Sequence, residues 1–227
     1  SWRQTMWLVA ALGVVAATGI ALGLPPVPSP PPTRLAERLA PARDRAVALI
    51  LAATLALFTG IYLVTIYLSV IMAPATGGDG GRLTVLLFAS GCAGTLANLV
   101  TGRWTDRFGP RRVLTGASVL AIADFALMPW ASSLFATALA AAIVYGLASW
   151  STMVPQQHRL IAAAPAAASL VVSLNASTVY VAVALAGALG GAALHVLPAA
   201  FLPWLAAVFL LLGLGATLYS GPGRSRT

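Results

Sequence analysis

With 59% hydrophobic and only 8% charged residues among 227, and a mean hydropathy of +0.91, the chain lies outside the range of soluble globular domains, in which charged residues make up about 25%. All 13 of its basic residues are arginines and lie outside the apolar runs, almost all of them between runs, so the net charge of +8 reflects membrane topology and no nucleic-acid partner. The apolar residues gather into seven runs, each long enough to cross a hydrocarbon core of roughly 30 Å. The expected fold class is therefore an all-α polytopic membrane protein with seven transmembrane helices.

The first run covers residues 6–24, with Trp2 and Trp7 placed for an interfacial belt. No basic segment or cleavage site precedes it, so a fragment of a longer chain is expected rather than a signal peptide. Pro25, Pro26, Pro28, Pro30, Pro31 and Pro32 follow. Amide donors missing at that density exclude a helix and predict a stiff extended linker. Arg34, Glu37, Arg38, Arg43 and Arg45 continue it as a charged stretch, in which Thr33 can cap a short amphipathic helix on the membrane surface. This linker, residues 25–45, separates a leading helix (1–24) from a bundle (46–219) and a tail (220–227).

The second run, residues 46–73, puts Phe58, Tyr62, Thr65 and Ser69 on one helical face. A glycine-rich turn at 77–81 leads to the third run, 83–102. There Gly91, Gly94, Thr95, Asn98 and Gly102 form a small, polar stripe, suited to close helix approach or to lining a pathway. Between Gly102 and Leu114 a tight basic loop is predicted, with Arg103, Arg107, Arg111 and Arg112 around Asp106. Gly109 turns the backbone, Pro110 starts the next helix, and Asp106 is placed to accept that helix's first amides. Cys92, the single cysteine, can close no disulfide within the chain.

The fourth run, 113–130, carries Asp124, the one acid inside any run. An ionisable group at such depth is a candidate protonation site by default, but a neutral structural acid bonded to a neighbouring Ser or Thr is the preferred expectation. The fifth run, 134–154, groups Tyr145, Ser149 and Thr152 on one stripe and is expected to end in a loop from Pro155 through Gln156, Gln157 and Arg159 to Pro165. In the sixth, 166–194, Ser169, Ser173, Tyr180, Gly187 and Gly191 share a face, with Asn175 and Thr178 on an adjacent one. Gly187 and Gly191 form a G-x-x-x-G pair, which permits close backbone approach. The seventh, 199–219, has Pro203 in its first turn.

Seven crossings alternate sides. One side collects Arg34, Arg38, Arg43, Arg45, Arg103, Arg107, Arg111, Arg112, Arg159, Arg224 and Arg226, and the other only Arg3 and Arg82. That bias predicts an N-terminus outside and a C-terminus in the cytoplasm.

The stretch from Gly102 to Leu114 resembles the signature loop of the major facilitator superfamily, G-x-L-a-D-R-x-G-R-R-x-x-L. Gly102, Asp106, Arg107, Gly109, Arg111 and Leu114 match in register, whereas Trp104 replaces the usual Leu and Pro110 the first of the paired basic residues. Ser1, Trp2 and Arg3 are similar to the G-W-R before the family's sixth helix, and Asn98, Leu99 and Gly102 to the N-L-x-G-G that enters the loop. Pro155, Gln156, Gln157 and Arg159 resemble a P-x-Q-x-R run after the tenth helix. Ala164 and Pro165 followed by residues 173–177 and 186–191 resemble the eleventh helix of the drug:proton antiporter and sugar-efflux-like branch.

The resemblance implies the sixth to twelfth helices of a transporter. The last six would form its C-terminal half-bundle, working by alternating access with the missing N-terminal helices as partner. It implies proton-coupled efflux of a small-molecule substrate through a cavity lined by the second and fifth spans and shaped by the third and sixth. The cavity candidates on these spans are Tyr62, Thr65, Asn98, Tyr145, Ser149, Asn175 and Tyr180. The signature residues Gly102, Asp106, Arg107, Gly109 and Arg111 would act as a gate latch bridging to the other half. A bacterial plasma (inner) membrane location is implied, with lipid and protons as partners. No cofactor, metal or enzymatic activity is expected: His158 and His195 are the only histidines, no G-x-S-x-G occurs, and without lysine no retinal Schiff base can form. A transporter fragment without independent activity and a non-transport seven-helix protein are the alternatives.

Overall fold

The computed structural model describes residues 2–23 and 39–220, and the chain divides into two compact units, Ser1–Arg34 and Leu35–Thr227. The proline-rich linker, the helix expected from Thr33, the Trp2 side chain and the tail after Ser220 fall outside the described residues. In the first unit, helix α1 (Trp2–Gly23) has 22 residues, so it is about 33 Å long. Its Thr18 hydroxyl is satisfied by the Val14 carbonyl one turn back.

The second unit is built of α2 (Arg45–Ile71), α3 (Gly80–Phe108), α4 (Pro110–Ala131), α5 (Phe135–Trp150), α6 (Met153–Ala163), α7 (Ala168–Leu194) and α8 (Leu202–Tyr219). Among the described residues no strand occurs, and seven helical segments are long and apolar enough to cross a membrane. Asp44 caps α2 by accepting from the amides of Ala46 and Val47, and Asp79 caps α3 by accepting from Arg82. These carboxylates satisfy amides that have no partner inside a helix. The turn between α2 and α3 needs Gly77 and Gly78, which stand at φ 60° and 77°, where a Cβ is strained.

Helix α2 runs through the middle, packed along α8 and α7, while α3 lies on α5 and α4 bridges α5 and α8. Leu57, Leu63, Val64, Leu86, Leu114, Phe125, Met128 and Leu210 fill the core between them. In lipid no hydrophobic drive pulls apolar helices together, so close van der Waals approach through small residues must. Gly60 meets the Ala206 carbonyl, 2.6 Å from where its Cβ would stand, and Gly213 takes the Leu57 side chain of the same helix pair.

Three expectations are corrected. Helix α3 continues past Gly102 through Arg103, Asp106 and Arg107 to Phe108, so most of the predicted loop is helical and only Gly109, at φ 84°, breaks it. Arg and Lys-like side chains are good helix formers, and nothing before Gly109 interrupts the ladder. The predicted loop after Pro155 is instead the helix α6, because proline in a first turn removes an amide that had no partner anyway. The close-approach glycine on α7 is Gly190, whose missing Cβ makes room for the Tyr67 ring, rather than the Gly187–Gly191 pair. Gly187 contributes its carbonyl, which accepts from the Tyr67 hydroxyl at 2.7 Å.

Candidate functional site

Two groups of polar side chains lie within the bundle. The first gathers where α2, α4 and α5 meet. Thr65, whose hydroxyl also donates to the Ile61 carbonyl, forms a short hydrogen bond with the Tyr145 hydroxyl. Tyr145 is buried and stacks on Phe125 with centroids 6.1 Å apart, while Tyr62 packs against Phe58 on the face it shares with Thr65. Tyr62 and Asp124 both lie within electrostatic reach of Tyr145. Thr65 stays exposed and Tyr62 half-buried, so the cluster reaches the surface along α2.

Asp124 forms no hydrogen bond among the described residues, and its buried Oδ2 has no partner. The Ser or Thr bond expected for it is absent. Ser118 on α4 likewise keeps a buried hydroxyl without a partner, and Ser149 on α5 lies within reach of the Tyr145 hydroxyl. Unpaired polar atoms in an apolar interior each cost free energy, so several in one bundle mark this region as unlike the surrounding core.

The other cavity candidates separate. Asn98 and Tyr180 are exposed, Tyr180 at 75%. On α3 the packing face is Ser90, Ala93, Gly94, Ala97 and Thr101, so Gly94 leaves the predicted stripe and Gly91, Thr95 and Asn98 face away from the bundle. Asn175 is turned inward, where its Oδ1 accepts from the Thr54 hydroxyl at 3.0 Å.

That bond begins the second group, which sequence reasoning missed. Gln156 Nε2 donates to the Ile50 carbonyl and to Thr54 Oγ1, both at 2.9 Å. Arg159 donates to Gln156 Oε1 at 2.9 Å, to Thr217 Oγ1 at 3.3 Å and to Ser220 Oγ at 2.5 Å. Asn175, Thr54, Gln156, Arg159 and Thr217 are all buried, and together they join α7, α2, α6 and α8. Helix α6 makes this possible: Pro155, Gln156, Arg159 and Leu160 form its buried face while His158 looks out. The available signal was Gln156 and Arg159 three positions apart beside a proline, a pairing that shares one face only if the segment is helical.

The signature residues are distributed differently from the expectation. Asp106 lies in the last turn of α3, exposed, and does not cap α4, whose N-cap Gly109 has no side chain to offer. It has no hydrogen-bond or ion-pair partner among the described residues. Arg107 rests on the Phe108 ring at 5.4 Å. Arg111 donates to the Leu218 carbonyl at 2.6 Å, closing the last turn of α8. No cluster of metal-ligating side chains occurs among the described residues.

A bundle of membrane-length helices with polar side chains meeting between its helices places the chain among the helical integral membrane proteins. The chain belongs to the Major Facilitator Superfamily, whose sequence model matches residues 1–185. It is also similar to a curated relative described as the uncharacterized MFS-type transporter YbcL of Bacillus subtilis (strain 168), with 27% identity over 217 residues. That match covers 96% of this chain and 56% of the relative, so the chain spans little more than half the relative's length.

Proposed function

We propose that the chain is the C-terminal part of a secondary active transporter that exports small organic solutes, with proton coupling, by alternating access. The supporting observation is the Tyr62, Thr65 and Tyr145 cluster, polar groups from α2 and α5 that meet and reach the bundle surface. In this reading Tyr62, Thr65, Asn98 and Tyr180 contact solute, whereas the buried Tyr145, Ser149 and Asn175 shape the surface behind them. Asp124, unpaired near Tyr145, is the proposed proton carrier. Asp106, exposed and unpartnered, is the proposed latch, with Gly102, Arg107, Gly109 and Arg111 holding it in place. Residues 1–24 are the last helix of the N-terminal half, 25–45 the cytoplasmic linker, and 46–219 the C-terminal half-bundle, whose partner is that N-terminal half. Transport by this arrangement requires no enzymatic step.

The test uses the full-length transporter in cells and in membrane vesicles. Tyr62→Ala and Asn98→Ala should change which solutes are exported while protein accumulation stays at the parental level. An unchanged export profile in both variants would reject the proposed cavity faces.

The proposed orientation, in a bacterial plasma membrane with the N-terminus outside, makes a separate prediction. Single cysteines at Asp79 or His195 should react with an impermeant thiol reagent in intact cells, after Cys92 is replaced. A cysteine at Arg43 should react only after permeabilisation, and labelling it from outside would invert the topology.

A further inference from the structure

Three guanidinium groups from three helices converge on the end of α8. Arg45 donates to the Tyr219 hydroxyl at 3.2 Å, Arg111 to the Leu218 carbonyl, and Arg159 to Thr217 and Ser220. Arg111 and Arg159 stand within Coulombic range of each other, so like charges are held together here. Beside them, between α4 and α8, an open recess of about 520 Å³ is lined by Arg111, Arg112, Thr115, Gly116 and Leu218. No acid lines it. The Arg112 side chain and the Thr115 hydroxyl have no partner among the described residues, and nothing lies within 4 Å of where a Gly116 Cβ would stand.

We propose that this recess binds the phosphate headgroup of an anionic phospholipid. The chemistry runs in layers. Arg112, the remaining N–H groups of Arg111 and the Thr115 hydroxyl supply donors for a phosphate diester. Gly116 and Leu218, on the helix surfaces beneath, leave an apolar bed for the glycerol and the first acyl carbons. Basic recesses between helices at the ends of membrane spans suit such headgroups because the charges meet the anion where the hydrocarbon stops. Positive charge crowded against positive charge, with no carboxylate lining the recess, gives an anion a favourable interaction that the protein alone does not supply. A free phosphate would satisfy the same donors but would leave the apolar bed unused.

Native mass spectrometry of the purified protein in detergent tests this, with phosphatidylglycerol, phosphatidylcholine and glycerol phosphate as probes. The protein should retain phosphatidylglycerol in preference to phosphatidylcholine. Arg112→Gln should weaken that retention by about fivefold, the equivalent of one arginine at an anionic surface. Gly116→Leu puts a side chain into the recess from a position whose Cβ meets nothing within 4 Å, with a better helix former, and it should weaken retention at least as much. Thermal melting of both variants without added lipid should match the parent. Equal retention of the two lipids by the parent, or parental retention by both variants, would overturn the proposal. Displacement of phosphatidylglycerol by an equal concentration of glycerol phosphate would also overturn it, assigning the donors to a soluble anion.

Discussion

Gly146→Leu should abolish accumulation of folded protein, whereas Gly91→Leu should be tolerated. Helices α3 and α5 are held by a reciprocal pair of glycines. A Cβ on Gly146 would collide with the backbone carbonyl of Ser90, with the Ser90 Cα 3.1 Å away. One turn further along both helices, Gly94 lies directly under the Trp150 ring, where a Cβ would strike the indole. Backbone on one side and a large aromatic on the other leave neither contact able to yield, so the helices must separate. Overpacking costs about 1–3 kcal/mol where neighbours can adjust, and more is expected where the obstacle is backbone. Gly91 has nothing within 4 Å and serves as the matched control on the same helix. Fluorescence-detected size-exclusion chromatography of tagged variants is the measurement. A monodisperse Gly146→Leu protein at parental yield would contradict this packing.

Gln156→Leu should destabilise the protein by about 1.5–3 kcal/mol, the contribution of a hydrogen bond to a charged group. The substitution takes an acceptor from a buried guanidinium and one donor each from the Ile50 carbonyl and Thr54, both of which keep another partner. The double variant Gln156→Leu/Arg159→Leu should melt higher than the single one, because removing the buried charge together with its acceptor removes the penalty as well. Thermal unfolding of purified protein in detergent decides it. A double variant less stable than Gln156→Leu would mean that Arg159 holds α8 in place by some means other than its bond to Gln156.

The seven spans were legible in the sequence because a bilayer imposes a length and an apolar composition that few other structures share. Where helices end inside charged or proline-bearing stretches was less legible. Charge after Gly102 points to a loop, yet arginine supports a helix, and only the φ of Gly109 stops α3. Pro155 reads as a terminator in the sequence, although at the third position of α6 it costs no hydrogen bond. The meeting of Thr65 with Tyr145 joins two positions that periodicity singled out on separate helices. Which face of α7 turns inward was not legible, since Asn175 and Gly190 are selected by Thr54 and the Tyr67 ring on α2. Periodicity within one helix carries no information about the shape of its neighbour.

Side-chain bonds between helices are distributed unevenly along the bundle. At the arginine-rich end they include Arg45 to Tyr219, Gln156 to Ile50 and Thr54, Thr54 to Asn175, Thr101 to Ser151, Arg111 to Leu218 and Arg159 to Thr217. Toward the other end Thr65 bonds Tyr145, Tyr67 reaches the Gly187 carbonyl and Trp204 the Ala126 carbonyl, and the remaining contacts are mostly apolar and aromatic. Mechanically the unit is a sheaf of rods tied near one end. Apolar surfaces can slide or part a little without a directed bond being lost, whereas bonded ends move only when several bonds break together. Flexing is therefore cheapest at the untied end, with the tied end as its fulcrum.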